Sequence, residues 1–377
     1  MSTSITSSRY RALGLMSGTS LDGIDAAVIE TDGQAQVRTL GFRSRDYDPA
    51  FRKRLRALLG GKAPKEQVAA VEHELTLLHA DAVRAILQET GIGVETIDVI
   101  GFHGHTILHE PQAGRTWQIG DGALLAQETG IDVVADLRSN DMRLGGEGAP
   151  LAPLYHLARA SGLERPLAVL NIGGVSNATY IGPASDGEPA SVIAFDCGPG
   201  NALINDWVEQ HTGEPLDKDG VLAARGQVQD AAIRQLLDNP YFEKPAPKSL
   251  DRDDFDAAPV AGLSLEDGAA TLTAFTAAAI EKSLAILPGA PKRWLVTGGG
   301  RRNPTLMAAL RARLGVPVDP VEDAGWNGDS LEAEAFAYLA VRSLQGAPLS
   351  LPGTTGVSKP ASGGRLHKFI LNSSKAS

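Results

Sequence analysis

Apolar residues fall into two kinds of run along this chain, and the two kinds alternate from one end to the other. Short uninterrupted runs rich in Val, Ile and Leu predict strands at residues 12–16, 24–29, 96–102, 131–135, 167–172, 192–195 and 294–296, with 36–45 a further candidate. Between them, apolar residues recur at helical spacing over 50–59, 66–90, 123–129, 151–160, 202–209, 269–287, 303–314 and 331–344. In the second of these, Val68, Val71, Leu75, Leu78, Ala82 and Ile86 make one stripe. Alternation of this kind predicts an α/β fold with mixed sheets. The order strand, small-residue turn, strand occurs at 12–29 and again at 167–181, so the halves share a rhythm without a strict repeat. The expected domains are 9–140, rejoined by 349–377, and 141–348. The proline-bearing stretch 239–256 reads as a loop over a cleft.

Small residues cluster at the ends of the strands. The first cluster, Ser17-Gly18-Thr19-Ser20-Leu21-Asp22-Gly23-Ile24-Asp25, joins two strands. Its small residues leave backbone N–H groups and hydroxyls facing outward, which suits phosphate oxygens, although an ordinary hairpin turn reads the same way. It lacks the Gly-Lys-Ser/Thr ending of a Walker loop. It also lacks Gly-x-Gly-x-x-Gly and precedes a strand, which argues against a dinucleotide oxidoreductase. Two more turns, Asp196-Cys197-Gly198-Pro199-Gly200-Asn201 and Thr297-Gly298-Gly299-Gly300, follow strands and open helices, whose N-termini favour anions. One such turn is a weak signal. One in the first half and two in the second predict a nucleotide held in a cleft between duplicated domains.

The chain's 377 residues suffice for two cores, and its 43% hydrophobic and 21% charged residues are those of a globular protein. The net charge of -10 argues against a nucleic-acid partner. A single cysteine, Cys197, excludes an internal disulfide framework and suits a reducing compartment. No uncharged apolar run reaches the roughly 18 residues of a membrane helix. Residues 1–8 and 372–377 read as frayed tails, and the opening one lacks the apolar core of a secretory signal. A cytoplasmic enzyme is expected.

The segments Gly14-Leu15-Met16-Ser17-Gly18-Thr19-Ser20-Leu21-Asp22-Gly23-Ile24-Asp25, Gly104-His105-Thr106, Gln118-Ile119-Gly120-Asp121 and Gly145-Gly146-Glu147-Gly148-Ala149-Pro150-Leu151 carry a closer likeness. With Asn171-Ile172-Gly173-Gly174, Asp196-Cys197-Gly198-Pro199-Gly200-Asn201 and the triple glycine before Asn303-Pro304, the chain resembles the anhydro-N-acetylmuramic acid kinase family over about 13–351. The resemblance implies two ribonuclease H-like domains of the sugar kinase/Hsc70/actin superfamily with a nucleotide cleft between them. It implies conversion of 1,6-anhydro-N-acetylmuramic acid, ATP and water to N-acetylmuramic acid 6-phosphate and ADP, with Mg2+, in peptidoglycan recycling by a cytoplasmic homodimer. Another sugar kinase, or an actin- or chaperone-like ATPase, is the alternative. Departures from the family pattern are His105 for Gln, Cys197 for Thr and Val175-Ser176 for Ile-Ala.

On this resemblance Asp196 is the candidate general base, with a helix cap as the plain alternative. Burial would raise its pKa and a helix N-terminus would lower it. Gly18, Thr19, Ser20, Leu21, Asp22, Gly23, Ile24 and Asp25 are expected at the phosphates. Gly173, Gly174, Gly198, Gly200, Asn201, Gly298, Gly299, Gly300 and Asn303 complete the nucleotide set. Mg2+ would arrive with ATP and touch no side chain directly; Asp22 and Asp25 are water-mediated partners or simply turn aspartates. His103, His105 and His109 share strand spacing, but no Cys or clear third ligand adjoins them, so sugar contact or packing competes with a metal site. A lactyl carboxylate suits the guanidinium of Arg138 or Arg143, as does a surface salt bridge. His105, Gln118 and Asp121 are candidates for sugar contact. Glu332 reads as a residue that orients the cleft, or as a favourable first-turn carboxylate.

Overall fold

The computed structural model describes residues 9–18, 20–183, 190–250 and 254–371. Twelve strands run in chain order through them: β1 (Tyr10–Ser17), β2 (Gly23–Thr31), β3 (Val37–Asp46), β4 (Val99–Glu110), β5 (Arg115–Ile119), β6 (Val133–Ala135), β7 (Leu167–Ile172), β8 (Val175–Ile181), β9 (Val192–Pro199), β10 (Trp294–Thr297), β11 (Val318–Pro320) and β12 (Arg365–His367). The chain divides into two units, Met1–Gly162 with Ser330–Ser377, and Leu163–Asp329. These limits differ from the expected ones at two helices, Pro153–Arg159 and Leu331–Leu344. Both belong to the first unit because buried Glu334 accepts hydrogen bonds from Tyr155 and from Thr39 of β3, the latter at 2.9 Å.

In the first unit the sheet order is β12-β6-β4-β1-β2-β3, with β5 hairpinned onto β4. β1, β2 and β3 form an antiparallel meander, and β4 and β6 add in parallel on the other side of β1. One face is covered by the helix Lys65–Thr90, whose Val68, Val71, Leu75, Val83 and Ile86 pack against Leu13, Ile24, Val28 and Phe102. That helix ends where Gly91 turns left-handed (φ 66°), as a helix terminus commonly does. Gly14 of β1 and Gly101 of β4 are register partners, and the helix Leu331–Leu344 presses on that pair. A Cβ on Gly14 would lie 1.8 Å from the Ala333 carbonyl oxygen, and one on Gly101 2.0 Å from that of Phe336. The two glycines therefore let a helix approach the bare sheet backbone.

In the second unit the order is β11-β10-β7-β8-β9, again an antiparallel meander with two parallel strands added beside its first strand. Numbered from the meander, both sheets read three-two-one-four-five. This is the ribonuclease H-like order, so the expected fold class holds for each unit. The helix Leu265–Lys282, capped where the Ser264 side chain accepts the Asp267 N–H, is buried on nearly every side. Its Leu272 and Phe275 meet Trp207, Phe242 and Phe255, while Ala277 and Ile280 meet Phe195 and Trp294. Such all-round apolarity marks a helix inside the fold rather than on it. No helix among the described residues is long and apolar enough to cross a membrane.

Candidate active site

In the first unit the turn between β1 and β2 is tight: Leu21 adopts φ 59° and its N–H donates to the Gly18 carbonyl at 3.1 Å. Asp22 Oδ1 accepts the Ser20 hydroxyl at 2.8 Å and the Gly23 N–H at 2.9 Å, so the carboxylate shapes the turn. Leu21 and Ile24 bury their side chains in the core, which leaves only their backbone to meet a ligand. Thr19 lies outside the described residues. Ser17, at the end of β1, joins Tyr47 at 2.7 Å and His105 Nδ1 at 2.8 Å, three buried groups in one chain.

His105, expected at the sugar, lies behind the turn, bonded to Ser17. Its side chain is fully buried beneath the turn, and burial pushes its pKa down to about 4, so the ring is neutral at pH 7. The metal reading also fails for the histidines. His103 donates from Nδ1 to the Gly104 carbonyl and accepts Arg138 at Nε2, while His109 pairs with Thr116. No cluster of three or more His, Cys, Asp or Glu suited to a metal ion occurs among the described residues.

Arg138 donates from Nε and from a terminal nitrogen to His103 Nε2 at 3.2 and 2.9 Å, and from the other terminal nitrogen to the Gly148 carbonyl at 2.8 Å. Loss of hydration lowers its pKa to about 10, against the pull of Glu332 and Asp141. Glu332 keeps a solvent-exposed face, yet loss of hydration raises its pKa, with Asp25 and Asp22 adding and Arg138 opposing. Glu332 therefore senses the charges of Arg138, Asp25 and Asp22. Arg143 lies apart from them, its guanidinium bonded to Asn140 Oδ1. Gln118 and Asp121 line a cavity of about 320 Å³ with His103, Asp136 and His367. Asp121 also caps the helix Gly122–Thr129 through the N–H groups of Ala123 and Leu124, and Gln118 donates to Thr106 and Thr116. Asp141, unnoticed in the sequence, is buried and accepts the Gly148 N–H at 2.7 Å and the hydroxyls of Ser350 and Thr355. It ties the Gly145–Gly148 turn to the final glycine loop.

In the second unit three glycine turns converge. The N–H of Gly200 donates to the Gly174 carbonyl at 2.8 Å, and that of Asn201 to the Gly173 carbonyl at 2.7 Å. The Asn201 side chain donates to the Ile172 carbonyl at 3.1 Å. Gly298 turns left-handed (φ 74°), and a Cβ there would strike Asn171 and Ile172. Arg301, its side chain nearly buried, holds the Gly298 carbonyl at 2.9 Å while paired with Glu322 and Asp329. Asn303 caps the helix Pro304–Leu314 by accepting the Leu306 N–H. Asn201, Gly299 and Asn303 share a cavity of about 430 Å³ with Ile204, Leu216 and Arg302, a lining that mixes apolar and polar side chains. Such a lining fits a flat heteroaromatic base joined to a sugar.

Asp196 lies inside β9, which continues past it to Pro199, and is half-buried. Its Oδ2 accepts the Leu250 N–H at 2.8 Å. The helix Ala202–Thr212 begins after Asn201, so Asp196 is not its cap. Cys197, next to it, is buried, and its thiol is pushed up to about 12, which makes it inert.

The family model described as anhydro-N-acetylmuramic acid kinase matches residues 10–368. The chain is similar to the anhydro-N-acetylmuramic acid kinase of Paramagnetospirillum magneticum, 57% identical over 359 residues that cover 94% of this chain and 99% of that one. It is 53% identical to that of Rhizorhabdus wittichii over 95% of this chain and 98% of the other. It is 54% identical to that of Rhodospirillum rubrum over 94% and 93%.

Proposed function

The chain belongs to the anhydro-N-acetylmuramic acid kinase family and is an ATP-using sugar phosphotransferase, and on that premise we propose that it opens an anhydro ring with water as it phosphorylates. The observation that carries this reading is the setting of Asp196, a carboxylate oriented by the Leu250 N–H in the strand that leads into the Gly198–Asn201 turn.

Asp196 takes a proton from water as the water attacks the anomeric carbon. The bond from that carbon to the 6-oxygen breaks, and the 6-oxygen accepts the γ-phosphoryl group of ATP. An inverting glycosidase needs a second carboxylic acid to protonate its leaving oxygen. Here the phosphoryl group takes the proton's place, so one carboxylate serves both bond changes. The second unit's cavity suits an adenosine, and the first unit's turn, taken by itself, suits phosphate oxygens through its backbone. Arg138, Gln118 and Glu332 contact the sugar.

Asp22, Asp25 and Glu332, the first two of which add their charge to the last, would hold through water a hydrated Mg2+ that arrives with ATP. When bound, the ion neutralises charge on the transferring phosphoryl group. Work in the cytoplasm, as a homodimer and in peptidoglycan recycling completes the proposal, supported by the family resemblance.

Asp196→Asn tests the assignment. Turnover is expected to fall by about 10²–10⁴, the usual share of general-base catalysis, while ATP still binds. Near-normal turnover would remove Asp196 from the role.

A further inference from the structure

β9 is an edge strand, so the backbone of Asp196 meets no neighbouring strand on its outer side. Residues 241–250 fold back along it and supply the missing partners. The Asp196 N–H donates to the Lys248 carbonyl at 2.9 Å, and the Tyr241 hydroxyl donates to the Asp196 carbonyl at 2.6 Å. Leu250, two residues on, holds the carboxylate.

Lys248 closes this loop on itself. Its ammonium donates to the Tyr241 carbonyl at 3.1 Å and lies 4.4 Å from the centre of the Tyr241 ring. Tyr241 and Lys248 are only 4% and 7% exposed. A buried ammonium loses hydration, and an apolar side chain would fill the same space without that cost. Burial accordingly lowers the Lys248 pKa, with Cys197, Glu243 and Asp196 acting against it and Lys244 with it. Behind the pair, Tyr241 is walled by Phe242 and Phe255, so the hydroxyl has little freedom to move.

We propose that Tyr241 and Lys248 are positioning residues for Asp196, fixing its backbone and carboxylate in the orientation from which it takes a proton from water. The inference rests on the reading of Asp196 as the base and adds to it the parts that aim it. Lys248 shapes the loop, Tyr241 pins the strand, and Leu250 turns the carboxylate.

The test compares single and double variants of the full chain with the anhydro sugar and ATP. Tyr241→Phe keeps the ring and removes one O–H; kcat should fall about five- to tenfold, the kinetic equivalent of one hydrogen bond. The KM for ATP should stay within about twofold, because the glycine turns are untouched. Lys248→Met should fall at least as far; if it does not fold by circular dichroism, the Tyr241→Phe arm decides alone. In an Asp196→Asn background, adding Tyr241→Phe should change turnover by less than about twofold, since no base remains to be aimed. An unchanged kcat in Tyr241→Phe, or an equal loss in both backgrounds, overturns the proposal. Normal turnover in Asp196→Asn alone would instead overturn the base assignment beneath it.

Discussion

A histidine sealed from water sits directly under the turn between β1 and β2. His105 Nδ1 meets Ser17, and its Nε2, buried, meets no partner among the described residues. His79, also fully buried, leaves its Nε2 in the same state and donates from Nδ1 to the Leu75 carbonyl. Burial pushes both pKa values from 6.5 down to about 4. Above pH 6.5 both folded and unfolded chains carry these rings neutral, and they leave stability independent of pH. Below it the unfolded chain binds protons that the folded chain refuses, so stability falls until about pH 4. Each ring then costs about 3 kcal/mol, and two approach the whole stability of a domain. The melting temperature is therefore expected to hold above pH 7 and to drop steeply between pH 6.5 and 4, with a shallower drop in His105→Gln. An identical slope in that variant would contradict the burial argument. His105 also shows what a sequence hides: its place beside Gly104 is visible, whereas its partner Ser17 lies 88 positions away. Asp196 stands out in the sequence as a carboxylate beside a glycine turn, which is a local pattern, and its role is the proposal made above. Tyr241 and Lys248 were not, since nothing local links them to a strand more than 40 residues earlier.

At the level of elements, two glycines side by side in β1 and β4 decide where a helix lies. Gly14 stands in a motif that reads as part of the phosphate turn, yet its work is packing against the helix Leu331–Leu344. That helix carries Glu332 at its start and Glu334 in its first turn. Gly14→Ala places a methyl group inside backbone atoms that have no rotamer to change, so a loss of at least about 1–3 kcal/mol is expected. Denaturant unfolding measures it, and a wild-type midpoint would show that the helix yields freely. Most strands and helices were legible from the apolar pattern, because the helix Lys65–Thr90 repeats its buried residues at helical spacing and β7 is an uninterrupted apolar run. β5 and β12 were not. They are short, and their Arg, Thr, Gln and His residues carry no apolar run, so only pairing with β4 and β6 makes them strands. The helices Pro153–Arg159 and Leu331–Leu344 were legible as helices, but not as members of the first unit, because Glu334 bonds residues some 180 and 300 positions away.

Taken as a whole, the molecule builds one sheet order twice and places a small-residue turn at the carboxyl end of a leading strand each time. That is where α/β sheets commonly bind ligands. The first turn is organised by Asp22 and Ser17, the second set by the backbone bonds that join Gly173 and Gly174 to Gly200 and Asn201, and by Arg301. In the proposed reaction water is a reactant and the 6-oxygen is the phosphoryl acceptor. Mass spectrometry of product made from anhydro sugar and ATP in ¹⁸O-labelled water tests this most directly, with unlabelled product incubated alongside to correct for exchange at the anomeric position. One solvent oxygen is expected in the sugar and none in its phosphate, with ADP released only when the anhydro sugar is present. Unlabelled sugar, or ADP formed at the same rate without it, would contradict the account.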